Sequence, residues 1–139
     1  MSQVLSALPT SQLLLKARIF EHAADKKFWE DRFIELGCGT SFKKAAKLRK
    51  QLKLVPTTPV GGEAGYTKHI EMYNEMDVML DSWPYNGTIT STEALLMGVP
   101  IVTMAAPKEG GCHAQNVGAS ILTQIGLSDL IASSDDEFV

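Results

Sequence analysis

The chain has 139 residues, enough for one domain that buries about two-thirds of the surface its unfolded form exposes. Hydrophobic residues at 45% and charged residues at 21% exclude the disordered class, and a net charge of −3 gives no global attraction to nucleic acid or to an anionic membrane. No apolar run approaches the roughly 20 residues that span a bilayer, and Met1 to Leu8 lacks the charged start and long apolar centre of a signal peptide. The expected location is therefore cytoplasm or nucleus. Cys38 and Cys112 have neither CxxC spacing nor a His at ligand distance, so they read as free thiols.

In chain order, Ser2 to Leu8 reads as the last turns of a helix stopped by Pro9, and Gln12 to Ala17 as a strand buried on both faces. A helix is expected over His22 to Leu36, with Gly37 and Gly39 to end it. A second helix from Ser41 carries Lys43, Lys44, Lys47, Arg49, Lys50 and Lys53. That stretch reads as a solvated helix face rather than a nucleic-acid surface, since only Phe42 offers an aromatic platform. Leu54 to Val60, broken by Pro56 and Pro59, allows a short strand at most, and Gly61, Gly62 and Gly65 predict a flexible loop. Thr67 to Met76 returns to helical spacing, with His69, Met72, Tyr73 and Met76 along one face. Asp77 to Asp81 follows as a buried strand, then a polar loop, a short helix over Thr90 to Met97 stopped by Gly98, and a strand over Pro100 to Met104. A helix from about His113 to Ile125 ends at Gly126. Ser134 to Glu137 has the form of a capping box, so a helix is expected to begin there. The alternation of strand and helix predicts an α/β fold with a mostly parallel sheet, and the broken-off first and last helices suggest a piece of something larger.

Ligands of open α/β sheets gather beyond the carboxyl ends of strands, where loops meet helix N-termini. The junction from Asp81 to Pro100 has that form. Gly87 allows close backbone approach, Thr88, Thr90, Ser91 and Thr92 offer hydroxyls, and the first-turn N–H groups favour a phosphate. Glu93, so near an anion site, suits the hydroxyls of a ribose, although a hydroxyl-rich helix cap explains the same residues. His69 reads as a nucleobase contact or as a histidine at the edge of the core. His113 opens a helix and reaches a substrate or caps it, and His22 reads as a surface residue. No GxGxxG, Walker A or GxSxG sequence is present, which disfavours a dinucleotide oxidoreductase, a P-loop enzyme and an α/β hydrolase.

PTSQLLLKAR, HIEMYNEMDVMLDSWPYNGTITSTEALLMGVPIVTM and HAQNVGASILTQIGLSDLIASSDDEFV resemble, in order and spacing, the C-terminal catalytic region of the O-GlcNAc transferase and SPINDLY family of protein O-glycosyltransferases, glycosyltransferase family 41. The resemblance implies a Rossmann-like, nucleotide-binding lobe of a GT-B enzyme, with residues 1–139 forming part of that C-terminal lobe and residues 38–65 a lysine-rich insertion. It also implies tetratricopeptide repeats in the full-length protein. The reaction implied is transfer of one sugar from a nucleotide diphosphate to Ser or Thr hydroxyls of intracellular acceptor proteins, with no metal, no other cofactor, no membrane and no nucleic acid.

By position, Ala64 and His69 match the family's nucleobase contacts, Thr90 a diphosphate-binding threonine and Glu93 the ribose-binding acid. Thr88 and Ser91 join them as donor-site candidates, while Ile89 stands where a threonine is common. His113 and Asn116, in HAQNVG, are candidates on the substrate side. Asn116 replaces a basic residue usual in O-GlcNAc-type members, which leans the reading to GDP-fucose over UDP-GlcNAc. The family's diphosphate-neutralising lysine and its first lobe match nothing in this chain. Lys16 and Arg18 are not equivalents, so catalytic groups are expected outside it and the isolated chain is expected to be inactive. A nucleotide-binding or interaction module without chemistry is the alternative.

Overall fold

A computed structural model describes residues 2–38, 41–57, 62–107 and 111–139. Gly39, Pro59, Val60, Gly61 and Gly110, which the sequence assigns to turns and a strand end, lie outside the described residues. The chain divides into two compact units, Met1–Pro59 with Val139 and Val60–Phe138.

In the first unit α1 (Ser2–Ala7) leads to β1 (Leu13–Lys16), a 3-10 turn at Arg18–Glu21, α2 (Ala23–Cys38), α3 (Phe42–Gln51) and β2 (Leu52–Val55). The two strands pair in parallel, Leu13 opposite Leu52 and Lys16 opposite Val55. Leu5, Ile34 and Leu48 form a small buried core against which Leu13 and Ala45 pack. Helix α1 ends without a glycine cap. Gln51, a buried side chain, instead donates from Nε2 to Leu5 O in the helix at 3.2 Å and to Leu8 O at 3.0 Å and Ser11 O at 3.1 Å in the segment that follows it. This satisfies acceptors that a helix C-terminus leaves open. The prolines do not interrupt β2. It begins two residues earlier than the sequence suggests and finishes at Val55, before Pro56.

The second unit contains α4 (Gly62–Glu71), a 3-10 turn at Met72–Glu75, β3 (Met79–Leu80), α5 (Ile89–Leu96) and β4 (Ile101–Met104). A 3-10 turn at His113–Gln115, α6 (Val117–Gln124), a further turn at Ser128–Leu130, β5 (Ile131–Ala132) and α7 (Asp135–Phe138) complete it. The strands run parallel in the order β3-β4-β5. Tyr73, Ala94, Val99, Ile101 and Leu122 are the buried core.

Helices α5 and α6 close in the same way. Gly98 and Gly126 hold φ of +79° and +77°. After α5 the N–H groups of Gly98 and Val99 reach Leu95 O and Ala94 O, and after α6 those of Gly126 and Leu127 reach Thr123 O and Leu122 O. Both are Schellman caps, which need the left-handed backbone glycine adopts without strain.

Three local differences from the sequence expectation stand out. Gly62 and Gly65 belong to α4 rather than to a loop. Glu63, Ala64 and Tyr66 between and after them are ordinary helix formers, and an interior glycine weakens a helix by only about 1 kcal/mol. The helix expected from His113 splits at Asn116 into a 3-10 turn and α6. Finally, β5 is only two residues long, too short for any periodicity to announce it.

Candidate functional site

The polar loop after β3 is built around Asp81, which is 3% exposed. Its Oδ1 accepts the N–H groups of Ser82 at 2.9 Å and Gly87 at 2.8 Å, and its Oδ2 accepts the Thr103 hydroxyl of β4 at 2.8 Å. Asn86, equally buried, donates from Nδ2 to Ser82 O at 3.0 Å, while its backbone N–H reaches Ala114 O at 2.9 Å. The Ser82 hydroxyl donates to Tyr85 O. A loop that satisfies its own polar groups in this way holds one shape. It delivers Gly87 to the start of α5.

A Cβ on Gly87 would lie 2.6 Å from Thr90 Oγ1 and 2.7 Å from Ser91 Oγ, so only glycine fits this turn. Thr88 is the N-cap residue, and the first N–H to find its acceptor one turn back is that of Thr92, bonded to Thr88 O at 3.0 Å. The N–H groups ahead of it have no intrahelical acceptor and lie at the positive end of the helix dipole. Thr88, Ile89 and Thr90 are exposed there. Ser91 is not. Its hydroxyl is fully buried and has no hydrogen-bond partner among the described residues.

One turn further along α5, Glu93 is 8% exposed. His69 Nε2, from the last turn of α4, lies 3.0 Å from Glu93 Oε2, and the Tyr73 hydroxyl donates to the same oxygen at 3.2 Å. That hydroxyl is also 3.3 Å from Thr90 O. The Tyr73 ring meets the His69 ring edge-on, with centroids 5.7 Å apart. Burial, and after it the Glu93 charge, pushes the Tyr73 pKa up to about 12. The phenol therefore remains a donor throughout the physiological range.

The structure thus brings His69, Thr90 and Glu93 together and adds Tyr73, which the sequence marks only as a face-mate of His69. Ala64 is exposed in the first turn of α4. Five residues before His69, it sits about 140° around the helix from it. His113 is exposed. Asn116 is half-buried and engaged locally, its Oδ1 accepting Ala106 N–H at 3.2 Å and its Nδ2 donating to Cys112 O at 3.1 Å.

Among the described residues no three His, Cys, Asp or Glu side chains cluster at metal-ligand geometry, and no helix is long and apolar enough to cross a membrane. An open hollow of about 380 Å³ belongs to the first unit, where Lys26, Glu30, Lys50 and Lys53 line it. None of the site candidates lies on it.

The sequence and the fold have counterparts among known proteins. Residues 4–139 match the model of glycosyl transferase family 41. The chain is 36% identical over 138 residues to SPINDLY of Arabidopsis thaliana and 37% identical over 138 residues to SPINDLY of Oryza sativa subsp. japonica. Both relatives are named as probable UDP-N-acetylglucosamine–peptide N-acetylglucosaminyltransferases. Each match covers 99% of this chain and 13% of the relative, so the chain spans about an eighth of their length. Among solved structures, a mutant O-GlcNAc transferase of Thermobaculum terrenum superposes with a TM-score of 0.73 at 29% identity, over 99% of this chain and 23% of that one. The fold class expected from the sequence, an α/β Rossmann-like lobe of a GT-B glycosyltransferase, is the one found. The chain belongs to glycosyl transferase family 41.

Proposed function

We propose that the start of α5, with His69 and Glu93, is the donor-nucleotide site of a protein O-glycosyltransferase. The observation that carries the reading is the convergence of His69, Tyr73 and Glu93 beside an exposed helix N-terminus entered through Gly87. Each part suits one piece of a nucleoside diphosphate. The unpaired N–H groups and the hydroxyls of Thr88 and Thr90 suit the diphosphate, an interaction worth about 0.3–2 kcal/mol from the helix dipole alone. The Glu93 carboxylate would repel phosphate, so it suits the ribose hydroxyls, which donate to it. The His69 ring, next to Glu93, suits the base.

A protein carrying this lobe is proposed to transfer one sugar from such a donor to Ser or Thr of acceptor proteins. Asn116 in HAQNVG favours GDP-fucose as donor. A second reading, UDP-GlcNAc, is favoured by the names of the SPINDLY relatives. Because the family's diphosphate-neutralising lysine and first lobe match nothing in this chain, and charge stabilisation and acceptor positioning call for such groups, the chain by itself is proposed to bind donor without turning it over.

Calorimetric titration of the folded chain with GDP and UDP tests the assignment. Binding of at least one nucleotide is expected, with affinity reduced about ten- to hundredfold in Glu93→Ala, the loss of hydrogen bonds to a charged group worth about 1.5–3 kcal/mol. Tighter GDP than UDP supports the fucose reading, and the reverse order supports GlcNAc. Failure of both nucleotides to bind, or an undiminished Glu93→Ala, overturns the site.

A further inference from the structure

The two groups that reach Glu93 both land on the same oxygen. His69 Nε2 lies 3.0 Å from Oε2 and the Tyr73 hydroxyl donates to Oε2 over 3.2 Å, and no hydrogen bond from a described residue reaches Oε1. Tyr73 is itself 3% exposed and a member of the buried core cluster with Ala94, Val99, Ile101 and Leu122, so its ring is held by packing. Its hydroxyl spans from Glu93 to Thr90 O, at 3.3 Å, and its ring edge meets His69. One side chain therefore touches three of the donor-site candidates, His69, Thr90 and Glu93.

We infer that Tyr73 is a positioning residue of the donor site, holding Glu93 by Oε2 so that Oε1 is presented to the vicinal hydroxyls of a ribose. The inference rests on the donor-site reading and deepens it by naming what sets the ribose contact. A carboxylate with one oxygen engaged twice has its plane and rotation fixed, so its other oxygen meets a hydroxyl without first being ordered, which is the entropic advantage of a preorganised site. Of the two groups on Oε2, the phenol is the one whose donor role depends on no tautomer. Without it, Glu93 keeps the His69 contact alone and gains freedom to turn.

The prediction separates positioning from mere support of the fold. The full chain and its Tyr73→Phe variant are titrated with GDP and UDP and with the 2′,3′-dideoxy counterpart of each. Phe keeps the ring and its packing and removes only the hydroxyl. The wild type is expected to bind the ribonucleotide at least about tenfold more tightly than the dideoxy form, the equivalent of about 1.4 kcal/mol. Tyr73→Phe is expected to reduce that preference to within about threefold while leaving dideoxy binding unchanged, and Glu93→Gln is expected to lose it as well. A variant that weakens ribo and dideoxy forms equally, or keeps the full ribose preference, overturns the inference while the donor site stands. A folded wild type that binds neither nucleotide overturns the donor site and this inference together.

Discussion

The hydroxyl of Thr103 on β4 donates to Oδ2 of Asp81, at the end of the neighbouring strand, over 2.8 Å, with both residues at or below 3% exposure. Asp81 spends its other oxygen on the N–H groups of Ser82 and Gly87. The shape of the loop that opens α5 is thereby fixed from below by one buried carboxylate. Replacing Thr103 by Val leaves that carboxylate with an unmet acceptor, and a loss of about 1–3 kcal/mol is expected in urea denaturation. Asp81→Ala strands two N–H groups and a hydroxyl and is expected to cost more. The double variant should lose less than the sum of the two, because both remove the same bond. Additive losses would show that the pair is not coupled.

Two glycines are required for different reasons, and substitution tells them apart. A Cβ on Gly118 would strike Asp81 Oδ2 and stand 2.5 Å from Thr103 Oγ1. Gly118→Ala is therefore expected to destabilise by about 1–3 kcal/mol through overpacking, and Gly118→Asn by more. Gly98 has φ +79° and nothing within 4 Å of a Cβ, so its constraint is purely the left-handed backbone. Gly98→Asn should cost less than Gly98→Ala, since asparagine tolerates that region better. Thermal melts of the four variants measure both orders.

The folded-state pKa of Tyr73, about 12, stands above the ordinary value of 10.0. A raised pKa means that the native state keeps its proton where the unfolded chain releases it. The associated stability is fully present below pH 10 and is lost as pH climbs from about 10 toward 12. Denaturation followed across that range should show a decline in the wild type that is smaller in Tyr73→Phe. In parallel, the difference in tyrosinate absorbance between the two proteins should have its midpoint near pH 12. A midpoint near 10 would remove the buried pairing with Glu93.

Gln51 closes α1 by donating to three carbonyls at 3.0–3.2 Å. Gln51→Leu keeps the volume and removes every donor. A loss of about 1–3 kcal/mol is expected, since the Leu5 and Ser11 carbonyls lose the amide donor, whereas Leu8 O keeps the N–H and hydroxyl of Ser11. Gln51→Glu, which brings a charge to the same acceptors, should lose more. If Gln51→Leu is neutral, water replaces the amide and the side chain does not hold α1.

How far the sequence carries depends on the range of each interaction. Helix α5 is legible because its cap residues and the closing Gly98 are local, and the role of Gly87 follows from a turn of a few residues. His69 and Glu93 are legible through the family resemblance, although 24 positions separate them. Tyr73 shows only as the i+4 neighbour of His69, because what makes it part of the site is a hydroxyl meeting a carboxylate from another helix. Asp81 reads only as the polar end of a buried strand. Its burial depends on Thr103 in the next strand and on the close approach of Gly118, neither of which leaves a local trace. The start of α4 is hidden by its glycines, and β5 by its length of two residues.

Backbone amide NMR of the 139-residue chain during GDP and UDP titration shows whether a nucleoside diphosphate sits against the start of α5. Saturable shifts are expected, concentrated at Gly87, Ile89, Thr90 and Ser91, with His69 and Tyr73 following at the same midpoint. Shifts gathered instead around Lys26, Lys50 and Lys53 at the hollow of the first unit, with α5 unmoved, would contradict it.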